Sequence, residues 1–94
     1  MSLIARRLSV RGRVQGVGFR HALVVAARAA GVDGWVRNCR DGSVEAFVQG
    51  DGSAVLALIG WCERGPSGAQ VSDVEVVDTT PDTTLAGFAQ RASA

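Results

Sequence analysis

Two residues of this chain pair a chemically capable side chain with a setting that could use it. Arg20 ends the run Gln15-Gly16-Val17-Gly18-Phe19-Arg20, and Asn38 ends the run Gly34-Trp35-Val36-Arg37-Asn38. Gly16 and Gly18 permit backbone angles that other residues avoid, so successive N–H groups of the first run can converge on one point. A helix starting at Phe19 would add its unpaired N–H donors and partial positive charge. The Arg20 guanidinium then offers a fork for two oxygens. On the glycines alone a steric strand-to-helix turn is the better reading, because short glycine motifs often match by chance. Arg20 shifts the balance. A cation in a helix's first turn opposes the dipole by roughly 0.3–1 kcal/mol, and a bound anion reverses that penalty. The run therefore reads as a site for a phosphate-like anion. It fits neither G-x-x-x-x-G-K-S/T nor G-x-G-x-x-G, which leaves nucleotide binding with little support. Asn38 has an ordinary reading as a strand end or turn former. Its amide is also both donor and acceptor, so it can hold a water and a substrate oxygen together.

Other chemical groups are few. His21 neighbours Arg20 but lies off the apolar face of the expected helix, which suits a rim residue better than a general base. No Ser-His-Asp spacing and no metal-ligand cluster is visible, and no feature marks Cys39 as an activated thiol. Cys39 and Cys62 match no zinc or redox spacing, and they are expected to stay reduced and unpaired in a cytoplasmic protein. Arg6 and Arg7 interrupt the stretch Met1–Val10, so it does not read as a signal peptide. No apolar run approaches the ~20 residues of a membrane span.

The net charge is +1, which gives no general case for nucleic acid. Its distribution is uneven. Residues 1–32 hold Arg6, Arg7, Arg11, Arg13, Arg20 and Arg28 and no acid, whereas residues 33–94 hold four arginines against nine acids. Most of these arginines fit the wet face of a strand; the sharper reading is a positive field around an anion site, and the two can both hold. There is no lysine, so every side-chain cation apart from a protonated His21 is a guanidinium able to bind oxyanions bidentately.

The elements that must position Arg20 and Asn38 follow from periodicity. Leu3–Val14 alternates, with Ile4, Leu8, Val10 and Val14 on one face and Arg7, Ser9, Arg11 and Arg13 on the other. Phe19–Ala30 turns helical, with a stripe of Phe19, Ala22, Leu23, Ala26 and Ala30, and Gly31 stops it. Gly34–Cys39 reads as a second strand, Arg40-Asp41-Gly42 as a turn, and Val44, Ala46 and Val48 as the inward face of a third strand. Gly50-Asp51-Gly52-Ser53 breaks that strand, with Asp51 or Ser53 available to cap a helix. The stripe Val55, Leu58, Ile59 and Cys62 defines this second helix, which ends near Arg64 before Gly65-Pro66. Val71–Asp78 is a fourth strand, and Leu85–Arg91 has the makings of a short fifth. The order β-α-β-β-α-β predicts an α+β, ferredoxin-like split βαβ sandwich over residues 1–94, an antiparallel sheet with both helices on one face.

The two runs also carry a resemblance. Gly12-Arg13-Val14-Gln15-Gly16-Val17-Gly18-Phe19-Arg20 is similar to the signature of acylphosphatases, and Gly34-Trp35-Val36-Arg37-Asn38 to their second signature. Gly42-Ser43-Val44-Glu45-Ala46 with Gln49-Gly50, the segment around Trp61 and the Gly65-Pro66 break extend the likeness over roughly Leu3 to Val77. Two motifs at the right spacing are far more specific than either alone. The resemblance implies metal-free, cofactor-free hydrolysis of small acyl phosphates to a carboxylate and inorganic phosphate. It implies that Arg20 and the backbone of Gln15, Gly16, Val17, Gly18 and Phe19 bind the phosphate, and that Asn38 orients the attacking water. A monomer acting on a small molecule, away from nucleic acid and membrane, is expected. Phe88-Ala89-Gln90-Arg91 departs from the family, whose last strand carries an apolar residue two positions after a Phe. Two other readings stand beside the enzyme: a phosphate-binding module without turnover, and an RNA-binding domain on the same fold, which rests only on the arginines of the first strand.

Overall fold

In a computed structural model, described over residues 2–94, alternating and helical periods become seven elements; Met1, the first residue of the expected domain, lies outside the described residues. They are β1 (Leu3–Arg13), α1 (Phe19–Ala30), β2 (Asp33–Asn38), β3 (Val44–Asp51), α2 (Gly52–Arg64), β4 (Gln70–Thr79) and β5 (Phe88–Gln90). The sheet order is β4-β1-β3-β2-β5. The first four strands pair antiparallel throughout, which is the expected α+β ferredoxin-like arrangement. β5 is shorter than the Leu85–Arg91 stretch expected and lies parallel to β2, with Gly34 beside Phe88 and Val36 beside Gln90. The five-stranded sheet is therefore mixed.

The core lies between the sheet and the two helices. Leu8 and Val10 of β1, Val36 of β2 and Val44, Ala46 and Val48 of β3 point into it, as their parity requires. α1 starts and stops where its sequence signals lie, with Gly31 left-handed at its end. Its buried face differs from the expected stripe: Phe19, Leu23, Val24 and Ala27 are buried, Ala22 and Ala26 are half-buried, and Ala30 is exposed. Turning Val24 inward in place of alanines removes more apolar area from water, at roughly 25 cal/mol per Å². α2 buries Val55, Leu58 and Cys62, with Ile59 packed at the edge. Neither Asp51 nor Ser53 caps its backbone; β3 runs on to Asp51, and the Ser53 hydroxyl donates to the Asp51 carboxylate instead.

The other face of the sheet is less wet than β1 alone suggests. Arg7, Arg11 and Arg13 are exposed there. Ala5, Trp35 and Phe47, however, form a second buried cluster with Leu85 packed on it. The Trp35 and Phe47 rings lie nearly parallel, 6.3 Å apart. The chain around Asp82 crosses this face, held by the Gln49 side chain, which donates to Asp82 O and accepts from Asp82 N–H, both at 2.7 Å. Those two bonds satisfy an amide that is otherwise buried.

Candidate active site

The first glycine run lies between the end of β1 and the first turn of α1. Gly16 and Gly18 both adopt left-handed angles, φ 73° and 79°, and Val17 between them does not. A Cβ on either glycine would meet nothing within 4 Å, so backbone conformation and not crowding requires glycine here. A tight strand-to-helix turn would need the same two glycines, so the backbone angles alone do not separate a turn from an anion loop. Alternating handedness turns successive N–H groups toward a common point. None of the N–H groups from Gln15 to Arg20 donates to a backbone carbonyl in the turns and caps among the described residues. Gly18 is the N-cap of α1, with no side-chain cap and no acid in the first turn. The helix end thus presents free donors and uncompensated positive potential.

Asn38 is the last residue of β2 and shares the inward parity of Val36. Its main-chain carbonyl accepts from Ala94 N–H at 2.9 Å, and Val36 O accepts from Arg91 N–H at 2.8 Å, so the segment after β5 ties down this end of the strand. The side-chain Oδ1 of Asn38 is buried and has no hydrogen-bond partner. An unpaired buried acceptor costs on the order of 1–3 kcal/mol, a penalty that a bound donor removes.

These pieces meet in one cleft of about 210 Å³, lined by Val14, Gly16, Gly18, Phe19, Arg20, His21, Asn38 and Gln90. Arg20 is half-buried, and no hydrogen bond or ion pair engages its guanidinium among the described residues. Val17 does not line the cleft; it packs on the core. Gln15 has a different part. Its Nε2 donates to both Cys39 O and Ser43 O at 2.8 Å, which clamps the glycine loop to the turn after Asn38. That turn is fixed in its own right: Asp41 accepts from Ser43 N–H at 2.9 Å and from the Ser43 hydroxyl at 2.6 Å. The Ser43 side-chain and backbone donors hold the Asp41 carboxyl below its usual range. Two loops distant in sequence are thereby held in register, as positioning chemistry requires.

The sequence marks Gln90 only as a departure in the last strand, and neither its place in the cleft nor the clamp made by the Gln15 side chain is expected from it. The signal for Gln90 is that same departure: a polar residue two after Phe88, on the strand parity that turns inward. His21 lies at the cleft's rim, exposed. Neither thiol belongs to the cleft: Cys39 and Cys62 are both free, and burial pushes the Cys62 thiol up to about 12. A second cavity, of about 260 Å³, lies on the outer sheet face between Arg7, Ser9, Asp41, Glu45 and Glu75. It shares none of the residues that carry the glycine run.

Two of the four arginines of β1 are engaged by acids, and Arg11 and Arg13 stay exposed. Arg6 pairs with Asp78 at 3.0 Å and Arg7 with Glu45 at 3.5 Å. No helix among the described residues is long and apolar enough to cross a membrane.

The Acylphosphatase family model matches residues 6–90. An acylphosphatase of Thermococcus kodakarensis is 50% identical over 88 residues, covering 94% of this chain and 96% of that protein. The solved acylphosphatase of Bacillus subtilis superimposes with a TM-score of 0.89 at 31% identity, over 94% of this chain and 98% of its own. HypF of T. kodakarensis contains a similar unit: TM-score 0.82, 27% identity, 94% of this chain but 12% of that one.

Proposed function

The chain belongs to the acylphosphatase family and is a hydrolase of acyl phosphates; from that premise we propose how its own residues perform the reaction. The N–H groups of Gln15–Phe19 and the Arg20 guanidinium bind the phosphoryl oxygens. Asn38 Oδ1 accepts a hydrogen bond from a water and aims its oxygen at phosphorus, in line with the acyl oxygen. Attack forms the new P–O bond as the bond from phosphorus to the acyl oxygen breaks. The carboxylate leaves, and a phosphoryl oxygen takes the water's proton. An acyl phosphate is already activated, so positioning and charge stabilisation are the main demands on the protein. The equatorial charge of the transition state falls on Arg20 and the loop amides, which need no reorganisation to meet it.

The observation that carries this reading is the convergence on one cleft of an unengaged guanidinium, unpaired loop N–H groups and the unpartnered Asn38 Oδ1. The same reading makes residues 1–94 one domain that works as a monomer, since a single chain supplies every group of the cleft. Two free thiols support a reducing, cytoplasmic setting. RNA is not a partner in this reading: Arg6 and Arg7 are paired with acids and Trp35 is buried, so of the arginines on β1 only Arg11 and Arg13 stay exposed without an acid among the described residues.

Steady-state hydrolysis of benzoyl phosphate tests the site. Arg20→Ala should lose both turnover and the rise in melting temperature that inorganic phosphate gives the wild type. Wild-type turnover should be the same with EDTA present. Full activity in a folded Arg20→Ala protein would rule the mechanism out. A phosphate-stabilised protein without turnover would be the binding module instead.

A further inference from the structure

Phe88 and Gln90 share one parity on β5, the face turned toward the helices. Phe88 fills the core there and is buried. Two residues on, the same inward parity carries a carboxamide, and Gln90 lines the cleft with Arg20, His21 and Asn38. Its backbone is fixed from several sides. Val36 is its register partner on β2, Arg91 N–H donates to Val36 O at 2.8 Å, and Arg28 Nε donates to Phe88 O at 3.1 Å. No hydrogen bond engages the Gln90 side chain among the described residues. A donor and an acceptor are therefore both available to whatever enters the cleft.

The loop amides and Arg20 take the phosphoryl end, and Asn38 takes the water. Val14 and Phe19 are buried in the core. Beside these apolar residues the cleft is lined by His21 and Gln90, both polar and both exposed at its rim. We propose that Gln90 is a specificity-determining residue whose carboxamide hydrogen-bonds the acyl part of the substrate. The enzyme then favours acyl phosphates with an N–H or C=O group next to the reacting carboxyl over those with a plain hydrocarbon acyl chain. This inference rests on Arg20 and Asn38 forming the reaction site. One hydrogen bond at a partly open rim changes selectivity modestly, by about tenfold at most.

The test measures kcat/KM on carbamoyl phosphate, which carries an amine at the acyl carbon, and on benzoyl phosphate, which carries a ring. Gln90→Leu should lower the carbamoyl-to-benzoyl ratio by about three- to tenfold. Gln90→Met, which keeps the unbranched stem, should do the same, and inhibition by inorganic phosphate should be unchanged in both. A ratio within about twofold of wild type in both folded variants overturns the role of Gln90. Arg20→Ala, assayed alongside, separates the two levels. Loss of both turnovers leaves the reaction site standing whatever Gln90 does, whereas retention of both overturns the site and the proposal together.

Discussion

Arginine serves on both faces of β2, and its surroundings differ. On the outer face Arg37 Nε donates to Glu45 Oε1 at 2.7 Å, and Arg7 reaches Oε2 of the same carboxylate at 3.5 Å. The guanidiniums of Arg7, Arg37 and Arg91 stand 5.7, 5.1 and 4.8 Å from the Trp35 ring. Charge there is matched by an acid and spread over an indole, an arrangement worth packing energy more than chemistry. On the helix side Arg20 has neither acid nor ring among the described residues, and it shares its cleft with loop N–H groups that are also unpaired there. The count of positive charges is higher on the outer face. On the proposed reading the cleft is nonetheless the anion site, because Arg20 has no acid to displace and has loop N–H groups beside it, whereas Arg7 and Arg37 are held by Glu45.

The sharpest way to break this contrast is to truncate one arginine from each face. Arg20→Ala should lower kcat/KM for benzoyl phosphate by about 10³ or more, the scale of a guanidinium lost from a phosphoryl-transfer site. Arg37→Ala should change it less than about threefold. Comparable losses from both would dissolve the distinction. Asn38→Ala should fall between them, at roughly 10² in kcat, the scale of one lost positioning group. Its phosphate-dependent rise in melting temperature should remain, since the proposed mechanism puts anion binding and water positioning on different side chains. A vanished rise in Asn38→Ala would place the asparagine in phosphate binding instead.

The two faces were also unequally legible in the sequence. The glycine run, Arg20 and the span Phe19–Ala30 could be read because each is a local signal: two glycines, a helical period and a glycine stop. Asn38 could be read as a candidate from its place at the end of a short strand. The outer cluster could not, because Ala5, Trp35, Phe47 and Leu85 come from four segments. Only the crossing around Asp82, anchored on Gln49, brings the last of them over. β1 alone looks half wet, and it is the neighbouring strands that dry part of that face. β5 escaped for a related reason. Three residues carry no readable period, and their parallel pairing with β2 closes over 50 residues of chain. Gln90 lay hidden with it, as did the reach of Gln15 across to the turn at Ser43.

Stability should report the outer face as activity reports the cleft. Trp35 is nearly buried between Phe47 and three guanidiniums. Trp35→Ala should cost about 3 kcal/mol, the low end for a large aromatic, because part of the site can collapse. For a chain of this size the melting temperature should drop by more than about 10 °C. kcat measured well below the transition should stay within about threefold, since Trp35 points away from the cleft. A large loss of kcat in a folded Trp35→Ala protein would show that the two faces of β2 are coupled through Asn38.

The smallest effect gives the finest discrimination. Glu45 is the acid that matches Arg7 and Arg37, at 3.5 and 2.6 Å. Glu45→Gln keeps the shape of that side chain and removes its charge, leaving the arginines around Trp35 without it. Partly exposed pairs of this kind contribute about 0–1 kcal/mol, so the loss of stability should be no more than that and should shrink at high salt. If Glu45 is what keeps the outer face from holding anions, its neutralisation has a second consequence. The double variant Arg20→Ala with Glu45→Gln should regain a small phosphate-dependent rise in melting temperature that Arg20→Ala lacks, without regaining turnover. The rise would come from guanidiniums released from their acid, and the missing turnover from the absence of an Asn38-held water beside them. No regained rise would mean that releasing the outer arginines from Glu45 does not make them an anion site, and that the cleft's converging N–H donors matter as much as its free charge.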